Sequence, residues 1–355
     1  DKQTKKEATD LDRPQSTAGL SVDHTHRFSD RLSLEWDAHG YVATEEKNTD
    51  KEVFEDDGDG YDFVKTQSND RDITHWVAQL GAKTTYRFES LCAHEFKTGF
   101  QLRERDFDSD YDKWETDSSG AVTDTTDWED NFELQEDYLA LFAQDTMELS
   151  QRLSTMLGAR YEYVDTETWS TFNNDHGKSN TSDLNPSLHA VYRLTDSMNV
   201  RGSVARMINR PGYRDMAPTE EVEDDTITYG NPDLIPQTAW NSEVGMEYGF
   251  GKSLLGVATF YKDIQDVIET VDTGEDVDGK DVLQFDNIGD GFVYGAAFDQ
   301  RLALGDLNPV ADGLTVWANE TFLDSEVREK QTGIKREFSE QSNFLLGLGV
   351  NYEIT

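Results

Sequence analysis

The chain has 355 residues, 35% of them hydrophobic, with a mean hydropathy of −0.73, and contains no run of roughly 18 apolar residues; membrane-spanning helices are excluded. Its 72 acidic against 32 basic residues give a net charge of −40, which argues against nucleic-acid binding through phosphate neutralisation. A single cysteine, Cys92, leaves no disulfide framework and no Cys-based metal site, and its strand-like surroundings predict a small packed residue.

Hydropathy does not exclude a β-barrel in a membrane, because only every second strand residue meets lipid and long loops dilute the average. The charge leaves two readings open: an acidic surface suited to a salty habitat, or a field that gathers cations and cationic ligands.

In chain order, the first ten or so residues are polar and read as a poorly fixed entry without a signal peptide. Residues 18–27 and 31–44 then form a hairpin across Phe28-Ser29-Asp30. In its second arm Leu32, Leu34, Trp36 and Ala38 alternate with Ser33, Glu35, Asp37 and His39, the period of a strand. An acidic loop over 46–71 leads to strands at 73–88 and 91–105. A second acidic loop, about 107–131, leads to 131–148 and 152–165, where Leu153, Leu157, Ala159, Tyr161 and Tyr163 oppose Met156, Gly158, Arg160 and Glu162. A polar loop at 166–183 precedes strands at 184–194 and 198–208.

After a long loop over 209–237, Val244, Met246, Tyr248 and Phe250 lie on one face of a strand, and Glu243, Gly245, Glu247 and Gly249 on the other. Further strands follow at 253–268, 282–287, 291–304, 313–326 and 343–352, with acidic or charged loops at 270–281 and 327–341. The last strand alternates Phe344, Leu346, Leu348, Val350 and Tyr352 on one face.

Long acidic loops thus alternate with turns of two to five residues. A soluble sandwich has no reason to place every long connection at one edge, whereas an outer-membrane barrel has short periplasmic turns and long external loops. The expected fold is all-β: an antiparallel transmembrane barrel with about 14 visible strands. Tyr161, Tyr163, Trp240, Tyr248, Phe250, Phe260 and Tyr261 are candidates for interfacial aromatic girdles.

One ordered series of motifs points further. Arg210-Pro211 ends a strand and leads to Gly230-Asn231-Pro232-Asp233-Leu234-Ile235-Pro236; Glu247-Tyr248 ends the next strand pattern, and Phe260-Tyr261-Lys262-Asp263-Ile264 follows. This series resembles the C-terminal half of the barrel of TonB-dependent receptors of Gram-negative outer membranes. The stretch from Tyr138 to Asp145, followed by Gly158-Ala159-Arg160-Tyr161-Glu162, is similar to the middle of the same barrels.

The resemblance runs from about residue 72 to the end and implies a partial barrel over 1–355, part of a 22-stranded one whose plug sequence is not recognised in this chain. It also implies uptake of a scarce nutrient (an iron–siderophore complex, cobalamin or a glycan), driven by the TonB complex through that plug, with outer-membrane lipid around the wall. The aromatic terminal residue usual in such barrels is absent at Thr355. Two other readings stay open: a passive outer-membrane channel or structural barrel, and a secreted acidic protein that binds calcium or sugars.

Candidate sites are few. Arg206 and Arg210, below the longest loop, either present cationic donors to an anionic ligand or pair with lumenal carboxylates such as Glu243 and Glu247. Asp57, Asp59 and Asp62, and likewise Asp276, Asp278 and Asp281, place oxygen ligands at close spacing around glycine, as calcium prefers, but without the closing Glu of an EF-hand loop. No nucleophile-elbow, zinc-protease or phosphate-loop motif is present, and no enzymatic activity is expected.

Overall fold

The computed structural model describes residues 5–56, 61–126, 131–170, 176–216, 220–222, 225–277 and 279–353. Their strands are β1 (Lys5–Asp12), β2 (Gln15–Arg27), β3 (Leu32–Asp56), β4 (Tyr61–Glu89), β5 (Ala93–Asp117), β6 (Val122–Asp124), β7 (Phe132–Glu148), β8 (Leu153–Ser170), β9 (His176–Thr195) and β10 (Met198–Asn209). A one-turn helix α1 (Tyr213–Met216) precedes β11 (Glu220–Val222), β12 (Thr226–Tyr229), β13 (Gln237–Phe250), β14 (Ser253–Val277), β15 (Lys280–Ala303), β16 (Leu314–Glu329), β17 (Lys335–Arg336) and β18 (Phe344–Tyr352).

All belong to one sheet. Its backbone is an antiparallel meander in which β2, β3, β4, β5, β7, β8, β9, β10, β13, β14, β15, β16 and β18 each pair with the next. Among the described residues the two outer edges, β2 and β18, do not pair with one another.

Three expectations change. The N-terminal segment is ordered from Lys5: β1 continues the register of β2 along β3, from Asp12↔Asn48 to Gln15↔Glu45. Pro14 interrupts the ladder on this outer edge, where a missing N–H costs least, and its carbonyl accepts from the Glu46 N–H at 3.1 Å. The segments expected at 282–287 and 291–304 are one strand, β15, and the meander of thirteen strands agrees with the expected count of about 14. The turn-like Gly289-Asp290-Gly291 between them is a bulge, with Gly289 at φ 155° and Asp266 opposite at φ 55°.

The acidic connections are largely strand. β3 and β4 run to Asp56 and from Tyr61, and β14 and β15 meet at Val277 and Lys280. A 25-residue strand such as β3 reaches about 80 Å, far more than a bilayer needs. Beyond the bilayer both faces meet water, so the apolar alternation stops while the hydrogen-bond ladder continues, and sequence alone reads as loop.

The short turns are where the alternation places them, and two share one chemistry. Ser29 Oγ accepts from the N–H groups of Arg31 and Leu32 at 3.2 and 3.1 Å; Ser150 Oγ does the same for Arg152 and Leu153.

Burial along these strands is inverted relative to a soluble sheet. On one face Leu157, Val244 and Leu348 are 56%, 61% and 65% exposed, while on the other Glu136 and Glu162 are only 4% and 8% exposed. Among the described residues no second layer covers the apolar rows, and the rows of β13 and β18 stand free. Such a sheet is stable only when its apolar face touches hydrocarbon. Val244, six residues above the turn-end Phe250, should lie near the bilayer centre. Val244→Arg is therefore expected to lower stability in lipid vesicles by about 2–4 kcal/mol. Val277→Arg, at the far hairpin tip, should change it by no more than about 0.5 kcal/mol, both read from urea unfolding.

Candidate functional site

The inner face gathers its strongest polar network where β5, β7 and β8 lie side by side and Arg210, just past the end of β10, reaches back across β9. Register places Arg103 opposite Tyr138 and Arg105 opposite Glu136, and the alternation of β8 brings Arg160 and Glu162 to the same face. Arg105 holds Glu136 with two bonds from Nη2, 2.7 Å to Oε1 and 2.9 Å to Oε2, and Arg103 Nη2 reaches the same Oε1 at 3.0 Å.

Tyr138 is the centre. Its hydroxyl donates to Glu162 Oε1 at 2.8 Å and accepts from Arg160 Nη2 at 2.7 Å. Arg160 Nε reaches Glu162 Oε1 at 2.6 Å, and Arg210 Nη2 reaches Oε2 at 2.9 Å. The guanidinium of Arg103 lies 4.6 Å from the centre of the Tyr138 ring, with Arg210 at 5.8 Å. Four guanidinium groups (Arg103, Arg105, Arg160, Arg210) thus share two carboxylates (Glu136, Glu162). In a chain of net charge −40 this is a local concentration of guanidinium groups. Buried Nε atoms of Arg103 and Arg210 have no hydrogen-bond partner among the described residues.

Of the two arginines expected here, Arg210 joins this network and Arg206 does not. Arg206 sits where the β9–β10 pairing ends and bonds Asp183 Oδ1 at 3.0 Å and Asn185 Oδ1 at 2.9 Å. Neither pairs with Glu243 or Glu247, which instead flank Arg201. Register explains the difference: Arg201 lies opposite Gly245, between the two glutamates, whereas Arg206 lies opposite Trp240 on the other parity.

The remaining motif residues make contacts within the loop and along the strands. Leu234 is buried, and Asn231 donates from Nδ2 to the Phe285 carbonyl at 3.0 Å while its own N–H bonds the Asp215 carbonyl at 2.7 Å. Asn287, missed in the sequence, completes the latch: its Oδ1 accepts from the Ile235 N–H at 3.0 Å, and its Nδ2 donates to the Ile235 carbonyl at 2.9 Å. Pro211 is buried at the strand end, while Gly230, Pro232 and Pro236 shape the loop above it. Tyr248 stacks on Phe250, and Tyr261 on Phe292, along the apolar face. Phe260 faces inward over Gly295, so it leaves the girdle expected of it; Lys262 shares its parity.

Asp57, Asp59 and Asp278 lie outside the described residues. Asp62 pairs across from Glu55, and Asp276 from Asp281; Asp276 Oδ1 closes its own turn by accepting from the Gly279 N–H at 2.9 Å. Among the described residues no group of three or more His, Cys, Asp or Glu is placed to share a metal ion.

The outer ends of the strands set carboxylates opposite carboxylates. Asp10 lies opposite Asp50, Asp70 opposite Asp112, and Asp72 opposite Asp110. Burial, then Asp72, Asp50 and Asp112, raise the Asp70 carboxyl above its ordinary range; burial, Asp110 and Glu133 do the same to Asp108. Glu115 moves the other way, held down by hydrogen bonds from Lys65 Nζ at 2.5 Å and Gln67 Nε2 at 2.7 Å.

The family model described as "TonB dependent receptor-like, beta-barrel" matches residues 2–355. The iron-regulated outer membrane virulence protein of Vibrio cholerae serotype O1 (strain O395) is 29% identical over 161 residues, 43% of this chain and 24% of that protein. The ferrienterobactin receptor of Escherichia coli K12 is 24% identical over 230 residues, 61% of this chain and 28% of that protein. Among solved structures, the ferric-catecholate import receptor Fiu from E. coli K12 superposes with a TM-score of 0.66 at 16% identity, over 97% of this chain and 52% of that one. The matched stretch is thus about a quarter of these curated relatives and about half of the solved receptor.

A carboxyl whose folded pKa is raised contributes most when protonated and loses that contribution as pH rises. Asp70→Asn should therefore stabilise the outer strands at pH 7 by roughly 0.2–1 kcal/mol, the scale of an exposed like-charge pair. The gain should vanish below roughly pH 4 and shrink in about 1 M salt, as measured by thermal melts of variant and parent.

Proposed function

Because the chain belongs to the TonB-dependent receptor family, as a β-barrel domain in the outer membrane of Gram-negative bacteria, we propose that it forms the wall and outer mouth of a receptor for an anionic iron chelate. The observation that carries this reading is the concentration of guanidinium groups around Tyr138 on the inner face. A ferric catecholate carries several negative charges and flat aromatic rings. Arginine forks and an arginine–tyrosine stack complement both features. The names of its relatives, an iron-regulated virulence protein and a ferrienterobactin receptor, favour the same ligand class over cobalamin or a glycan. The acidic strand ends would repel a free anion, so capture at the inner arginines rather than at the tips is the expected order. Release is proposed to be driven by the TonB complex acting through a plug seated within the wall.

Binding of a ferric catecholate, a neutral ferric hydroxamate, cobalamin and an oligosaccharide to the purified full chain tests the ligand class. Arg103→Gln and Arg210→Gln should each weaken the catecholate complex about ten- to hundredfold, the scale of one charge-assisted hydrogen bond, and leave the neutral chelate little changed. Equal loss for both chelates, or tight binding of cobalamin or sugar instead, would contradict the reading.

A further inference from the structure

The turn joining β4 to β5, residues 90–92, holds a set of side chains that uptake does not use. Cys92, expected within a strand, lies in this turn. His94, at the start of β5, is engaged on both sides of its ring. Its Nδ1 lies 2.8 Å from Asp145 Oδ2 on β7, and its Nε2 lies 2.9 Å from Ser90 Oγ and 3.3 Å from Cys92 Sγ. Phe88 stacks on the imidazole with centroids 4.5 Å apart and planes 3° from parallel, fixing the ring.

A carboxylate only accepts hydrogen bonds, so in the neutral ring Nδ1 carries the proton and Nε2 offers its lone pair to the Ser90 hydroxyl. Nucleophile, base and orienting carboxylate stand in sequence, each link at hydrogen-bond distance. A tight turn requires far less. The backbone bond from the Ser90 N–H to the Cys92 carbonyl, 2.9 Å, already closes it, and a carboxylate reaching in from another strand adds nothing to turn closure.

The surroundings indicate a substrate. The turn lies at the short-turn end of the wall, where hydrocarbon gives way to headgroups and water. Leu91 at the tip is fully exposed, and Tyr86 is exposed on the apolar face. On the other face of the sheet from the His94 ring, a cleft of about 470 Å³ is lined by Arg31, Arg87, Glu89, Glu95, Thr146 and Glu148. Arg31 is exposed, and Arg87 Nε is held by Glu95 at 2.7 Å. The exposed apolar rim on the His94 face, Tyr86 and Leu91, suits acyl chains.

We propose that Ser90, His94 and Asp145 form an acyl-transfer site for glycerophospholipid esters of the surrounding leaflet. Ser90 Oγ attacks the ester carbonyl carbon while His94 Nε2 takes the hydroxyl proton. The carbon–oxygen bond to glycerol breaks, the glycerol oxygen leaves with that proton, and acyl-Ser90 and a lysophospholipid result. Water, giving its proton to His94, then attacks the acyl group; fatty acid departs and Ser90 regains its hydrogen. Asp145 is a positioning residue, and Cys92 is a bystander on the same nitrogen.

The test uses the full chain folded in detergent, with a fluorophosphonate probe mapped by peptide mass spectrometry and fatty-acid release from phosphatidylglycerol mixed micelles. Heat-modifiable gel mobility reports folding of each variant. Wild type should be labelled at Ser90 and release fatty acid. Ser90→Ala should abolish both, and His94→Asn should slow both by about a hundredfold or more. Asp145→Asn should also slow both and shift the pH–rate profile, and Cys92→Ser should keep both. Absence of Ser90 labelling in the folded wild-type chain, labelling unchanged in His94→Asn, or labelling without fatty-acid release would each overturn the proposal.

Discussion

Lateral hydrogen bonding is the constraint on which everything else rests. Between the two outer edges each strand of the meander is laddered to a neighbour on either side, so the backbone makes its hydrogen bonds within the sheet and needs none from solvent. Only then can side chains be distributed inside out. Apolar rows on β8, β13 and β18 stand uncovered, while Glu136, Glu162 and Tyr138 are enclosed among other polar groups. In water that arrangement would be costly twice over, through exposed hydrocarbon and through desolvated charge. With lipid outside and a polar interior, both costs fall away.

Charge is zoned along the strand direction. At the far ends carboxylates face carboxylates across the ladder, as at Asp70↔Asp112 and Asp72↔Asp110. Halfway down, four arginines gather on Glu136 and Glu162 around Tyr138. At the short turns single arginines such as Arg31 and Arg152 follow the serine that caps each turn. The net charge is therefore concentrated in the outer zone, and the middle of the wall can still attract an anion. Local zoning, not the total, decides which ligand the inner face suits.

How much of this the sequence carries depends on whether the relevant contact is local. The period of two over 242–250 was enough to separate Val244 from Glu243, and the side chains do part that way. The turns at 28–31 and 149–152 follow from their serine and polar content. Strand length was not legible beyond the bilayer, because hydropathy stops alternating there while pairing does not. Nor was partner choice. Parity places Glu243 and Glu247 on one face, but only register shows that Arg201, not Arg206 or Arg210, sits between them. The Tyr138 network draws on residues 103 to 210, and Asn287 bonds a loop 52 positions earlier, so neither leaves a local signature. His94 and Asp145 are likewise 51 positions apart; no short motif could announce them.

Site-directed spin labels placed singly from 242 to 250, in the chain reconstituted into lipid vesicles, probe the two-faced wall most directly. Collision with oxygen, which concentrates in hydrocarbon, should peak at positions 244, 246 and 248, and collision with a water-soluble nickel chelate should not. The odd positions should show the opposite weighting, with a period of two. Uniform access along the strand, or oxygen contact at 243 and 247 in place of 244 and 246, would contradict a wall between lipid and a polar interior.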